Sequence, residues 1–203
     1  MKKIIIFGST GMTGLCALEH AVNKAYEVTV FVRDEAKIPE HLKGKVKAIT
    51  GNVTNYDQVE SSIANQEGVV VVLGTRNDLK PTTELSDGMK NIIRAMKKNN
   101  VEIVSVCLSA FLFWPLEKVP KQFLDLNADH QRMYDAIKES GLKWIAVFPP
   151  HISESPKSTY TVKHDESPGR MISKYELGEF LVDCLQKPEH YQKVCGLATD
   201  PKQ

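Results

Sequence analysis

The sequence predicts an α/β fold, a doubly wound parallel sheet in one domain, and three observations support this. An apolar run at residues 4–7 stops at Gly8-x-x-Gly11-x-x-Gly14, close to the start of the chain. Further short runs rich in Val and Ile recur downstream, with helical patterns between them. These runs are continuously apolar rather than alternating, so both faces of the sheet are buried and helices must cover each. At 203 residues the chain suits a single core spanning 1–203, with no room for a second full domain.

Taken in order, residues 4–7 form the first strand. Gly8 permits the tight turn after it, Gly11 lets the backbone approach a pyrophosphate, and Gly14 lets the next helix pack against the sheet. That helix, patterned over 13–24 by Leu15, Leu18, Ala21 and Val22, aims free N–H groups and the positive end of its dipole at an anion. A strand, a glycine turn and a helix in this order mark the dinucleotide site of a Rossmann-like fold. Gly8, Ser9, Thr10, Gly11, Met12, Thr13 and Gly14 are therefore cofactor-binding candidates. The remaining strands are expected at Glu27–Val32, 46–49, 69–73, Ile103–Cys107 and Lys143–Phe148, and the remaining helices near 55–64, 82–98, 122–140 and 174–186. Right-handed crossovers give the strand order 3-2-1-4-5-6 and place a ligand crevice at the carboxyl ends of strands one and four. Loops around 110–125 and 150–173 fall on the substrate side, and the Ser-, Pro- and Lys-containing stretch 153–170 reads as an excursion from the fold.

Charge and cysteine usage narrow the function. The 26 Lys plus Arg nearly cancel the 25 Asp plus Glu, so no global field recruits nucleic acid or an anionic membrane. Cys16, Cys107, Cys184 and Cys195 are scattered, without a C-x-x-C pair or zinc-type histidine spacing, which fits reduced thiols in a cytoplasm. Cys107 lies in an apolar run and reads as a core residue. No apolar stretch approaches the roughly 20 residues of a membrane span. A soluble, cytoplasmic protein acting on a small molecule is expected.

The second strand should deliver the side chain that reads the adenosine ribose, and it ends Val32-Arg33-Asp34. Arg33 offers a planar fork suited to a 2′-phosphate, and Lys37 adds positive charge, which favours NADP(H). Asp34 can accept from ribose hydroxyls or cap the turn at 35–38. Asn52 and Val53 after strand three are placed to meet adenine, although Asn52 also suits a turn. Leu73, Gly74 and Thr75 end strand four beside the pyrophosphate, and Arg76 follows as a phosphate clamp or a solvated loop residue. Ser109 ends strand five near the nicotinamide.

Several strings resemble the NADPH-dependent flavin reductase/biliverdin-IXβ reductase family, within the atypical short-chain dehydrogenase/reductases. They are Gly8-Ser-Thr-Gly-Met-Thr-Gly14, Val32-Arg33-Asp34, Leu73-Gly-Thr-Arg-Asn-Asp78, Ser109-Ala-Phe-Leu-Phe-Trp114, Asp129-His-Gln-Arg-Met133, Pro149-Pro-His-Ile152 and Ile172-Ser-Lys174. The resemblance implies NADPH as hydride donor, a monomer, and free flavins or IXβ-type biliverdin as substrates rather than prosthetic groups. It also places Pro150, His151 and Ile152 at the cofactor and His151 at the substrate. Met12 stands where mammalian members carry glutamine, Asn52 replaces an aspartate, and Gln122 replaces a basic residue.

In the wider superfamily the serine works beside a Tyr-x-x-x-Lys pair. Tyr134 and Lys138 spell that string, but one helical turn too late, since the lysine's place belongs to His130, which is thereby a cofactor-binding candidate, and the tyrosine's to Leu126. A one-turn slip moves a side chain about 5.4 Å along the axis, too far for the same chemistry. The expected site has no protein acid, so Ser109 is its catalytic candidate and water its proton source. Phe111 and Trp114 would give a flat acceptor its apolar cover, with Phe111 and Phe113 on one side if the segment is extended. Arg170 is a candidate partner for an acceptor's anionic groups. Two other classes fit the same residues: an NADP-binding redox sensor without turnover, and a carbonyl or sugar-nucleotide reductase or epimerase, which would require the missing tyrosine. Arg33→Ala is expected to reduce the preference for NADPH over NADH by at least about tenfold, the loss of one charge-assisted contact; the ratio of kcat/KM for the two coenzymes measures it.

Overall fold

The computed structural model describes residues 1–75 and 78–201. Its strands are β1 (Lys3–Phe7), β2 (Glu27–Val32), β3 (Lys47–Thr50), β4 (Gly68–Val71), β5 (Ile103–Cys107), β6 (Lys143–Phe148), β7 (His151–Ser153), β8 (Tyr160–His164), β9 (Met171–Ser173) and β10 (Lys193–Thr199). The helices are α1 (Met12–Asn23), α2 (Tyr56–Ile63), α3 (Glu84–Lys98), α4 (Leu124–Lys138) and α5 (Lys174–Asp183). The main sheet runs β3-β2-β1-β4-β5-β6-β10-β8, so the expected 3-2-1-4-5-6 order forms its first six strands. Pairing is parallel from β3 through β10, and β8 closes the edge antiparallel to β10.

The continuous apolar runs divide by parity between two cores, because successive side chains of a strand leave opposite faces. Ile4 and Ile6 join Val28, Val30, Ile145 and Val147 beneath α1 and α5. Ile5 and Phe7 join Val69, Val71, Val104 and Phe148 beneath α2, α3 and α4. Among the described residues no helix is long and apolar enough to cross a membrane.

Four strands lie outside the sequence expectation. β8 falls within the stretch read as an excursion, yet it belongs to the main sheet through β10. Its signal is alternation, with Tyr160 and Val162 packed on the core and Thr161 and Lys163 exposed, as suits an edge strand. β10 runs unbroken through Gly196, where a Cβ would meet the Glu166 carbonyl oxygen at 2.1 Å. β7 and β9 are three-residue strands that pair with each other in parallel.

Two buried carboxylates fasten the loops around the crevice. Glu176 accepts from the backbone N–H groups of Ser158 and Ser173 and from the Thr199 hydroxyl, tying the 154–159 segment and β10 to the start of α5. Asp129, fully buried on α4, accepts from the Leu85 N–H at 3.1 Å and from Arg132, whose guanidinium also donates to the Thr82 carbonyl at 2.8 Å. This clip holds the N-terminus of α3, where the loop leaving β4 ends. Asp129→Ala would strand the Leu85 N–H and remove the carboxylate partner of the half-exposed Arg132, and is expected to cost about 2–3 kcal/mol in urea unfolding, with Asp129→Asn losing less.

Candidate cofactor and active site

The glycine turn separates into two kinds of glycine. Gly8 has φ +83°, and a Cβ there would lie 2.1 Å from the Val72 carbonyl oxygen; a Cβ on Gly14 would lie 2.1 Å from the Gly8 oxygen. Both are needed by the fold itself. Gly11 differs, because its added Cβ would find the Gly8 oxygen at an ordinary 3.5 Å, and one on Gly74 would meet nothing within 4 Å among the described residues. Open space on these two glycines is what a pyrophosphate passing between the ends of β1 and β4 requires. The end of α1 that faces this space is uncapped: Gly11 supplies no side-chain bond and the first turn holds no acid. Orphan N–H groups and the positive dipole end are left for an anion. Ser9, fully buried in the turn, has a hydroxyl with no hydrogen-bond partner among the described residues. Thr13 is buried and Met12 half-exposed in the first helical turn.

At the end of β2 the Arg33 side chain is exposed, its guanidinium 3.7 Å from the Glu84 carboxylate, a loose surface pair that a phosphate can displace. Lys37 is exposed beside it. Asp34 caps the turn Glu35–Lys37, accepting from the Ala36 N–H at 3.0 Å. The capping reading of Asp34 is therefore the one the geometry fills. Asn52 fills the turn reading, its amide oxygen accepting from the Thr54 N–H at 3.0 Å and the Thr54 hydroxyl at 2.9 Å. An adenine amine would compete with both. Val53 is likewise committed, packed against Gly88 of α3, where a Cβ would come within 2.7 Å of it.

Across the crevice Leu73, Gly74 and Thr75 leave β4, and Arg76 lies outside the described residues. Ser109 leaves β5 in extended conformation and accepts from the Phe111 N–H at 3.2 Å, while the Ala110 N–H donates to the Pro149 carbonyl at 2.9 Å. The serine is thus held against the end of β6, beside Pro150. The segment after it is a 3-10 helix, Ala110–Phe113, not an extended strand. Phe111 and Phe113 consequently part company. Phe113 packs on Phe148 at 4.9 Å within the core, whereas Phe111 meets Trp114 edge-on at 5.1 Å and Phe123 at 5.3 Å. Phe123, from the turn before α4, completes a three-ring group that sequence spacing did not suggest; two elements had to fold together to form it. Trp114 remains 47% exposed, so the group presents an open aromatic surface.

The His151 N–H donates to the Arg170 carbonyl at 3.3 Å, which joins two of the expected substrate contacts; both side chains are exposed, and Ile152 packs half-buried against the α5 face. On α4, burial pushes the His130 imidazole down to about 4 against an opposing effect of Asp129, so this ring is neutral at physiological pH. Tyr134 turns its ring edge-on to Trp144 and Phe148 at 6.2 and 5.3 Å, with the Lys138 ammonium 5.6 Å over it. Partial burial raises its phenol above the ordinary value, so this half-buried ring, packed against the core, is a poor acid. Burial likewise pushes the Cys107 thiol up to about 12, which makes it a packing group rather than a nucleophile.

The family model described as NAD(P)H-binding matches residues 8–188. The chain belongs to the NAD(P)H-binding family. The glycine cradle and bare helix end described above are the parts of this chain that fit such a coenzyme. Solved structures share the architecture: a Rossmann-fold NAD(P)-binding family protein from Shigella flexneri superposes with a TM-score of 0.79 at 22% identity, covering 100% of this chain and 98% of that one. A wide-type short-chain dehydrogenase/reductase from Veillonella parvula, solved in complex with NADP, gives 0.79 at 18% identity, over 98% and 95%. ChuY, an anaerobilin reductase from Escherichia coli O157:H7, gives 0.83 at 13% identity, over 98% of both chains. At these identities the likeness is one of fold.

Because Gly11 has room for a methyl group that the fold tolerates, Gly11→Ala is expected to keep its thermal transition within a few degrees while weakening coenzyme binding at least about tenfold. Fluorescence titration with NADPH alongside a melting curve separates this from Gly14→Ala, which should lose the fold.

Proposed function

We propose that the protein is an NADPH-dependent reductase that passes hydride to flat conjugated acceptors, free flavins (FMN, FAD, riboflavin) and IXβ-type biliverdin, with the accompanying proton drawn from solvent. The observation that carries this reading is the open aromatic group of Phe111, Trp114 and Phe123 directly after Ser109. A planar acceptor can stack there with its reacting ring toward the coenzyme, and stacking of this kind needs no polar group from the substrate. The neutral His130, the core-bound Tyr134 and the absence of a tyrosine at position 126 remove the usual carbonyl-reducing acid. NADPH rather than NADH is favoured by Arg33 and Lys37, exposed at the end of β2.

Bound NADPH would supply the hydride, two electrons and one hydrogen nucleus, and leave as NADP⁺, with Gly11 and Gly74 giving room to its pyrophosphate and Arg33 meeting its 2′-phosphate. The acceptor gains that hydride and one proton from water. The chain's own contribution is to hold two planes in contact and to exclude competing reactions. Ser109 offers a hydroxyl to order the water, and Arg170 and His151, exposed at the crevice edge, suit a flavin phosphate or a propionate.

Steady-state NADPH oxidation with FMN, FAD, riboflavin and biliverdin isomers tests the proposal. Turnover is expected with flavins and the IXβ-type isomers, and Ser109→Ala should slow it no more than about tenfold, below the roughly 10²–10⁴ of a dedicated acid. Trp114→Ala should raise the acceptor KM with little change in kcat. Oxidation of NADPH with none of these acceptors would end this reading and leave a coenzyme-binding sensor.

A further inference from the structure

Away from the crevice, at the β8 edge of the sheet, three metal-ligating side chains converge. The antiparallel register sets His164, the last residue of β8, directly opposite Cys195 in β10. Directly opposed residues send their side chains to the same face, so the pairing itself aligns imidazole and thiol. His190 arrives from a third element, the 3-10 turn Pro188–His190 that precedes β10. Its Nδ1 lies 2.9 Å from His164 Nε2, the two rings are nearly perpendicular at 89°, and one ligand atom from each of the three residues falls within 4.8 Å of the others. His190 is braced edge-on by Phe180 of α5 at 5.2 Å, and Cys195 is fully buried beneath the pair.

We propose that His164, His190 and Cys195 bind a borderline-soft divalent cation of the zinc class, with water in the fourth position. Two imidazoles and a thiolate are the donor set that zinc takes tetrahedrally at about 2.0–2.1 Å to nitrogen and 2.3 Å to sulfur, and such bonds imply a nitrogen–nitrogen separation of roughly 3.3–3.4 Å. The observed pair needs to open by less than an ångström to admit the ion. The His164–His190 hydrogen bond requires that one imidazole nitrogen be unprotonated, the state in which it ligates. Asp165 and Glu189, each next in sequence to one of the histidines, add negative charge around the cluster, against the positive charge of Lys187 facing His190, while burial pushes the Cys195 thiol up to about 12, so the ion itself must displace that proton to gain its thiolate ligand. Softer thiolate and imidazole ligands select zinc over magnesium or calcium. Because the ligands come from β8, β10 and the turn between α5 and β10, the ion would staple the edge strand onto the sheet. The site shares no residue with the coenzyme crevice and stands independently of the proposed reductase activity.

The test is titration of the chelator-treated full-length protein with Zn²⁺ by calorimetry and with Co²⁺ by visible absorption. One equivalent of Zn²⁺ should bind and raise the melting temperature, and Co²⁺ should give tetrahedral bands with a sulfur-to-metal charge-transfer band. His164→Ala, an exposed position that leaves the core intact, should weaken Zn²⁺ binding at least about tenfold, since even the loss of a supporting residue costs 10–100-fold. Cys195→Ser should abolish the sulfur band. Failure of the wild-type protein to bind Zn²⁺ at one equivalent, Zn²⁺ affinity unchanged in His164→Ala, or a Co²⁺ complex without the sulfur band would each overturn the proposal and reduce the cluster to a hydrogen-bonded histidine pair.

Discussion

Two backbone contacts set the geometry of the whole nucleotide edge. The Cβ that Gly8 lacks would sit against the Val72 carbonyl, and the one Gly14 lacks would sit against the Gly8 carbonyl. With both positions bare, β1 can end in a left-handed turn against β4 while α1 starts flush with the sheet. The uncapped N-terminus of α1 is thereby brought to the gap between the two strands, where Gly11 and Gly74 leave room. A helix dipole is useful to an anion only within its first turn, so any side chain at Gly8 or Gly14 would move the charge away from where it is needed.

The same economy governs the other side of the crevice. Parallel strands end in loops that carry little hydrogen bonding of their own, and here those loops are fastened by buried carboxylates rather than by longer secondary structure. Asp129 binds the first turn of α3 and Glu176 gathers β9, β10 and the 154–159 segment. Fully buried acids are tolerated because each is surrounded by donors. The result is that the start of α3 is fixed to α4, and the 154–159 segment and β10 to α5.

The helix α4 shows how a familiar string can mislead. Tyr134 and Lys138 are spaced as a reductase pair, yet the helix lays that half-buried tyrosine against Trp144 and Phe148 at the edge of the core. His130, one turn earlier, lies among groups dry enough to keep it uncharged. The helix phase, set by Met133 and Ile137 packing beneath α3 and the sheet, decides which residues reach the crevice.

What the sequence determined by itself is local or repetitive. Short Val- and Ile-rich runs without alternation read as parallel strands between helices, and right-handed crossovers made the six-strand order legible. The glycine turn was legible from its place between the first strand and the first helix, although the Gly8 requirement is set by the distant Val72 carbonyl. Tertiary structure decided everything that depends on which distant segments meet. β8 carries the weak alternating pattern of an edge strand and acquires its place through register with β10; Phe111 and Phe113 are separated by a 3-10 helix rather than paired by an extended one; Phe123 joins from another turn. Asn52 spends its oxygen on Thr54, and His164, His190 and Cys195 converge across 31 positions of sequence. Spacing along a chain reports contacts within one element, and these contacts lie between elements, where strand register and helix phase choose the partners.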